Sequence, residues 1–203
     1  MSFYSVMYKI FVKGVRWFYR MEIIGSENEP EEGGCLVCAN HMSAHDVVIL
    51  AGSLKRQVRF FAKAELFRIP GLKQLITALG AYPINRGKSD VGAIKKTIAL
   101  LEGGELVGLY PQGTRCPGVH PSETKPRNGV GLITFRSKVK VLPVAITTKD
   151  FIVKPFKKTY IRIGKPIEYE DLGFVNGTKD EFEVISRKVF DQIVELVDEQ
   201  GGY

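Results

Sequence analysis

The chain has 203 residues, 44% hydrophobic and 25% charged, which is enough apolar content for one domain with a substantial core and too much for a disordered chain. A formal net charge of +7 favours anionic partners such as phosphate groups or acidic lipids, and no nucleic-acid-binding motif accompanies the charge. Three cysteines, an odd number, argue against a disulfide framework and for a reducing compartment.

Residues 3–21 read FYSVMYKIFVKGVRWFYRM. Lys9, Lys13, Arg16 and Arg20 recur at helical spacing in one stripe, with Phe3, Met7, Ile10, Phe11, Trp17, Phe18 and Met21 on the far side. A spanning helix is disfavoured, since each central basic residue costs about 2.5–3.5 kcal/mol at bilayer depth. A signal peptide is excluded, because there is no charge-free apolar segment and no small-residue cleavage site. The pattern predicts residues 1–24 as an amphipathic helix lying in the headgroup plane of a membrane, ahead of a domain over residues 25–203. The alternative is a helix docked on the protein's own core with its basic stripe in water.

Gly25–Gly34 (GSENEPEEGG) is an acidic, turn-rich loop. Cys35–Ala39 (CLVCA) follows as a short apolar run behind a glycine pair, which predicts a buried strand. Cys35 and Cys38 form a C-x-x-C with Cys116 and His120 downstream, but free cysteine in an apolar run is an ordinary core residue, and no metal site is expected. The polar stretch Asn40–Asp46 (NHMSAHD) comes next, ahead of a second apolar run, Val47–Ala51. It therefore sits at a strand-to-helix junction, where α/β proteins place their chemistry.

His41 and Asp46 are separated by about 500° of helical rotation, so they can meet only if the chain bends between strand end and first helical turn. A carboxylate against an imidazole there orients the ring and stabilises its protonated form, which makes a general base. The competing reading is a helix start capped by Asn40 or Ser43, with His41 incidental. His45, at the helical spacing of a metal pair with His41, lacks a third ligand and reads as an ordinary polar helix residue. Neither Ser43 nor Cys38 stands in a nucleophile elbow.

Val58–Ala62 reads as a strand and Leu72–Leu79 as a helix ended by Gly80. Ala81–Asn85 is a further strand, with Arg86-Gly87-Lys88 at its carboxyl end. Ser89 or Asp90 starts a helix that uses Val91, Ile94, Ile98 and Leu101 as its apolar face. Leu106–Tyr110 is a buried strand running straight into Pro111-Gln112-Gly113-Thr114-Arg115. Cys116–Asn128 reads as a mobile loop with a solvated His120. Gly129–Arg136 is predicted helical, and Lys140–Thr147 is a strand whose Pro143 implies an edge or a bulge. Lys154–Lys158 is a basic turn and Thr159–Ile163 a strand; Thr178 or Asp180 caps a last helix to about Glu199, with Phe182, Ile185, Val189, Ile193 and Leu196 inward. Strands alternating with helices, without an internal repeat, predict one α/β domain.

Three predicted strand ends carry polar clusters: His41 with Asp46, Arg86 with Lys88, and Gly113-Thr114-Arg115. A base, a glycine turn with free N–H groups and two arginines suit a substrate with both a hydroxyl and a phosphate. No Walker or G-x-G-x-x-G pattern points to a nucleotide.

These clusters, in this order, resemble the glycerophospholipid acyltransferases, close to the 1-acylglycerol-3-phosphate acyltransferases. The family motif N-H-x-x-x-x-D is similar to Asn40–Asp46, and G-x-x-F-I-x-R to Gly80–Arg86. F-P-E-G-T-R is similar to Tyr110–Arg115, and the apolar V-P-[VI] to Val141–Val144; Lys63-Ala64-Glu65-Leu66 matches a further K-x-E-L segment. The likeness runs from about residue 30 to 150. It implies a mixed, mostly parallel sheet flanked by helices, and acyl transfer from acyl carrier protein or acyl-CoA to lysophosphatidic acid. No cofactor is implied beyond that thioester co-substrate. His41 becomes the base on the lipid hydroxyl, held by Asp46; Asn40, Arg86, Gln112, Gly113, Thr114 and Arg115 become substrate-binding residues, with an oxyanion donor among the backbone N–H groups near Gly113. Peripheral or monotopic contact at the cytoplasmic face of the cell membrane is implied as well. Gln112 departs from the family's Glu and cannot take up a proton, so it is assigned to positioning. Two readings remain beside this one: acylation of another lysolipid, and a lipid-binding module without turnover.

Overall fold

The structure, a computed structural model, describes residues 3–78, 80–84 and 91–199. Its strands are β1 (Met21–Ile24), β2 (Cys35–Ala39), β3 (Val58–Lys63), β4 (Ala81–Ile84), β5 (Leu106–Leu109), β6 (Lys140–Thr147) and β7 (Thr159–Ile163). They form one sheet in the order β1-β7-β6-β2-β5-β3-β4. Neighbours run parallel throughout, except β6 and β7. The helices are α1 (Phe3–Phe18), α2 (Asp46–Ser53), α3 (Leu72–Ala78), α4 (Val91–Glu102), α5 (Gly129–Ser137), α6 (Tyr169–Leu172) and α7 (Lys179–Asp198). This is the α/β domain with a mixed, mostly parallel sheet that the sequence implied.

The uncharged run of β2 explains why it is central: all five of its residues are fully buried, as expected of a parallel strand covered on both faces. Cys35, Val37 and Ala39 pack with Val15, Ile49 and Leu50 from α1 and α2. Leu36 and Cys38 pack with Leu101, Val130, Val189 and Phe190 from α4, α5 and α7. The C-x-x-C pair is thereby split between the two cores. Among the described residues no group of His, Cys, Asp or Glu could hold a metal ion.

Three expectations change and one, at Pro143, is narrowed. The first helix ends at Phe18, and Arg20, at φ 42°, turns the chain into β1, which pairs with β7 at the sheet edge. The last turn of α1 is docked on the domain: Val15 and Tyr19 are buried in its core. Arg16, from the basic stripe, donates to the carbonyls of Gly52 (2.7 Å) and Ser53 (3.5 Å), satisfying the carboxyl end of α2. Second, the edge or bulge expected at Pro143 is a bulge: the residue lies in the interior strand β6, opposite Cys38 of β2. Its carbonyl accepts from Gly164 N–H (2.9 Å) on the β7 side, just beyond the ladder that starts at Val144–Ile163. The pairing resumes at Val141–Ile167, with an extra residue on the β7 side, so the missing N–H of Pro143 falls at a bulge. Third, Val91 on α4 is exposed and Thr97 fully buried. Thr97 Oγ1 donates to the Ala93 carbonyl and meets the Tyr82 hydroxyl at 3.1 Å, which makes its burial tolerable. Fourth, Leu196 on α7 is half-exposed, and Val197 is the buried neighbour. The residues proposed to cap α4, Ser89 and Asp90, lie outside the described residues, as does Leu79. Among the described residues no helix is long and apolar enough to cross a membrane.

Candidate active site

Parallel pairing of β2 with β5, with Cys38 opposite Leu109, delivers the two segments that follow these strands side by side at one edge of the sheet. The first is Asn40–Asp46 and the second Tyr110–Arg115.

After Ala39 the chain leaves extended geometry and bends through a turn at Ala44 and His45 before α2 begins at Asp46. The bend brings His41 and Asp46 together: His41 Nδ1 lies 2.8 Å from Asp46 Oδ2. The same oxygen accepts the N–H groups of Met42 (2.6 Å) and Ser43 (2.7 Å). Three groups thus converge on one fully buried carboxylate oxygen at the first turn of a helix. An acceptor-only carboxylate requires the proton of His41 on Nδ1, which leaves Nε2 with its lone pair. One ring face stacks on Tyr110, with centroids 4.1 Å apart and planes 15° apart. Burial, together with the negative Asp46, pushes the Tyr110 phenol well above its usual range, so it stays neutral.

The backbone of His41 is clamped at both ends. Its N–H donates to Gln112 Oε1 at 2.7 Å, and its carbonyl accepts Cys116 N–H at 2.8 Å. Gln112 then donates through Nε2 to Thr124 Oγ1 (3.1 Å), whose hydroxyl donates to the Pro121 carbonyl (2.7 Å). Gln112 is only 4% exposed and both its amide atoms are used, so it is a strut behind the base and not a substrate contact. Asn40 is corrected the same way. Its Nδ2 donates to the Ile146 carbonyl and its Oδ1 accepts Ile146 N–H, both at 2.8 Å, and the side chain is fully buried. It holds the end of β2 against β6 and has no polar atom left for substrate.

The segment Cys116–Asn128 is tied down along its length, contrary to the mobile loop expected. Besides the contacts to His41 and Gln112, Gly118 N–H donates to the Phe151 carbonyl (3.0 Å) and Arg127 N–H to the Pro111 carbonyl (2.8 Å). His120, expected in solvent, packs edge-on against Phe151 and lies 3.2 Å from an Asp198 carboxylate oxygen.

His41, Val47, Phe60, Phe61, Tyr110 and Arg115 line a cavity of about 260 Å³, with Gly113 and Thr114 also in its wall. One side is apolar and the other carries the base and the turn. Gly108, on the cavity wall, is required there: a Cβ would stand 2.2 Å from the Phe60 ring. Gly113 takes φ +67°, and its N–H closes the turn on the Tyr110 carbonyl (3.0 Å), so it is not itself a free donor. A Cβ on Gly113 would meet Arg127 Cδ at 2.8 Å and Nε at 2.9 Å, so the glycine lets Arg127 lie across the turn. Thr124 and Arg127, which stand in no sequence motif, meet Gln112 and Gly113 only through the fold, so sequence spacing does not reveal them. Arg115 sits on the cavity wall; Arg86 and Lys88 lie outside the described residues. His45 precedes α2 without a side-chain capping bond, near the Tyr19 ring (5.8 Å).

A family model described as Acyltransferase matches residues 20–147, well over half of the chain. The chain belongs to the acyltransferase family. Among curated acyltransferase relatives, a 1-acyl-sn-glycerol-3-phosphate acyltransferase of Bacillus subtilis (strain 168) is 28% identical over 180 residues, covering 87% of each chain. One of the same name from Streptococcus pneumoniae (strain ATCC BAA-255 / R6) is 30% identical, over 70% of this chain and 53% of that protein. The crystal structure of the 1-acyl-sn-glycerophosphate acyltransferase of Thermotoga maritima matches with a TM-score of 0.72 over 100% of this chain and 85% of that one. At 23% identity that match establishes the acyltransferase fold alone.

Proposed function

We propose that this acyltransferase moves a fatty acyl group from an acyl thioester to the free hydroxyl of 1-acylglycerol 3-phosphate, giving phosphatidic acid. The observation that carries the mechanism is the His41–Asp46 contact of 2.8 Å beside an open cavity. Nε2 of His41 takes the hydroxyl proton as the oxygen attacks the thioester carbonyl. The new C–O bond forms, the C–S bond of the tetrahedral intermediate breaks, and the proton passes from the imidazolium to the leaving sulfur. Holding the reacting ends of both substrates together at the cavity can contribute about 7–11 kcal/mol, and general-base catalysis a further 10²–10⁴-fold. Transfer is direct: Cys38 is fully buried with its thiol pushed well above its usual range by burial, and Ser43 Oγ accepts from His45 N–H.

Arg115 on the cavity wall and Arg127 against the Gly113 turn suit the phosphate of the acceptor, and the Thr114–Arg115 backbone suits the oxyanion. Phe60, Phe61, Val47 and Leu109 suit the acyl part. The donor is acyl carrier protein or acyl-CoA, with no further cofactor. A lipid acceptor implies work at a membrane surface, and a cytoplasmic thioester donor implies its cytoplasmic face. The reading without turnover drew on Gln112 and on the basic amphipathic start; of these, Gln112 holds the backbone of the base and needs no charge to do so.

The test is thiol release from acyl-CoA and from acyl carrier protein, with lysophosphatidic acid and other lysolipids offered in competition. Phosphatidic acid formed with stoichiometric thiol supports the proposal. Thioester hydrolysis without acceptor dependence, or preference for another lysolipid, overturns it.

A further inference from the structure

Tyr110 stands against the base, yet no step of the reaction above uses it. Its place is fixed by the backbone on both sides. Leu109, the last residue of β5, pairs with Cys38 of β2, so Tyr110 leaves the sheet beside the segment that carries His41. Pro111, itself buried, follows and keeps the Tyr110 backbone out of helical geometry. The Tyr110 carbonyl accepts Gly113 N–H (3.0 Å) and closes the turn. The side chain packs on the buried cluster that includes Ala39, Met42 and Ile49.

The contact with His41 is a stack of near-parallel planes, 15° apart with centroids at 4.1 Å. Packing, and not a hydrogen bond, sets the ring there. The Tyr110 hydroxyl is buried and has no hydrogen-bond partner among the described residues, an arrangement that costs stability. Burial and the negative Asp46 keep the phenol protonated, so it does not compete with His41 as a base.

The face of a neutral aromatic ring carries partial negative charge and attracts a cation within about 6 Å of its centre. The His41 imidazole is neutral before proton transfer and cationic once Nε2 has taken the hydroxyl proton. The Tyr110 ring therefore binds the imidazolium more tightly than the imidazole, and a contact that strengthens along the reaction lowers its barrier. The His41 side chain is only 15% exposed, so little water screens the attraction. Asp46 acts on the same cation from its edge at Nδ1, and Tyr110 acts from its face.

We propose that Tyr110 is a positioning residue for the base: its ring face holds the His41 imidazole in plane and stabilises the imidazolium formed when Nε2 accepts the proton. The ring does this and the hydroxyl does not contribute. The inference rests on His41 acting as the base.

The test places phenylalanine and its mono-, di- and trifluorinated forms at position 110 of the full chain. Fluorine keeps the shape of the ring while draining electron density from its face. In thiol release with acyl-CoA and lysophosphatidic acid, kcat should fall stepwise along the series, by about 3–30-fold in all, with KM for the acceptor unchanged. Tyr110→Leu, which removes the ring, should lose at least as much kcat, and Tyr110→Phe should restore it. In the wild type the His41 ring protons should resonate upfield in the ring current of Tyr110, and in Tyr110→Leu they should return to their usual range. A flat fluorinated series, a rise in KM in place of a fall in kcat, or unshifted His41 ring protons in the wild type overturns the inference. The series and the wild-type spectrum decide the matter even if Tyr110→Leu fails to fold. A flat series in an enzyme that loses activity with His41→Ala removes Tyr110 alone, whereas a fully active His41→Ala removes the base and this inference with it.

Discussion

Replacing Gln112 separates a strut from a proton carrier. Gln112→Ala removes the acceptor of His41 N–H (2.7 Å) and the donor to Thr124 Oγ1 (3.1 Å). An orphaned, part-buried N–H costs about 1–3 kcal/mol and the second bond about 1 kcal/mol, so the variant should lose about 2–4 kcal/mol of stability. At roughly 2–4 °C per kcal/mol for a domain of this size, its Tm should fall by roughly 5–15 °C. The imidazole keeps Asp46 and the Tyr110 stack but loses its backbone clamp, and a displacement near 1 Å costs on the order of 10²-fold. We therefore expect kcat to fall about 10–100-fold with KM for the acceptor little changed. Gln112→Glu keeps the bond to His41 N–H, and the Thr124 hydroxyl can turn from Pro121 to the carboxylate. Its kcat should stay within about tenfold of wild type, whereas a missing proton carrier restored at this position would raise it about 10²–10⁴-fold. Thiol release with acyl-CoA and lysophosphatidic acid reads both variants. An unimpaired Gln112→Ala, or a hundredfold faster Gln112→Glu, would refute the strut.

Other expectations follow from the same contacts. Asn40→Ala leaves the buried N–H and carbonyl of Ile146 without partners, at about 1–3 kcal/mol each, and calorimetry should show a Tm lower by roughly 5–20 °C; an unchanged Tm contradicts the tether. Arg127→Ala should raise KM for lysophosphatidic acid about tenfold or more, the equivalent of one charge-assisted contact, with a smaller change in kcat; equal KM values would remove Arg127 from the phosphate site. Burial pushes the Cys35 thiol up to about 12, so at pH 8 it is protonated and unreactive, and Cys38 is shifted in the same direction. A thiol reagent should label Cys116 in the native protein, and Cys35 and Cys38 only after denaturation.

What could be read from the sequence was local, and what could not was tertiary. The strand at Cys35–Ala39 and the bend required between His41 and Asp46 both follow from patterns within a dozen residues, and both stand in the structure. Asn40 looked like a substrate contact because it belongs to the same motif, but its partner is Ile146 on a strand far along the chain. Gln112 was readable as a positioning residue from its chemistry alone; what it positions was not, because His41 N–H and Thr124 reach it only through the parallel pairing of β2 and β5. Arg127 left no spacing signal, since it meets Gly113 through a turn anchored on Pro111. Pro143 read as an edge or a bulge, and the bulge lies on the strand beside it, where sequence pattern carries no mark.

The central claim is that His41 is the base. Thiol release dependent on lysophosphatidic acid, compared between wild type and a His41→Ala variant of unchanged Tm, tests it most directly. The variant is expected to lose at least about 10²–10⁴-fold in kcat, the usual share of general-base catalysis. A folded His41→Ala that forms phosphatidic acid at the wild-type rate would contradict it.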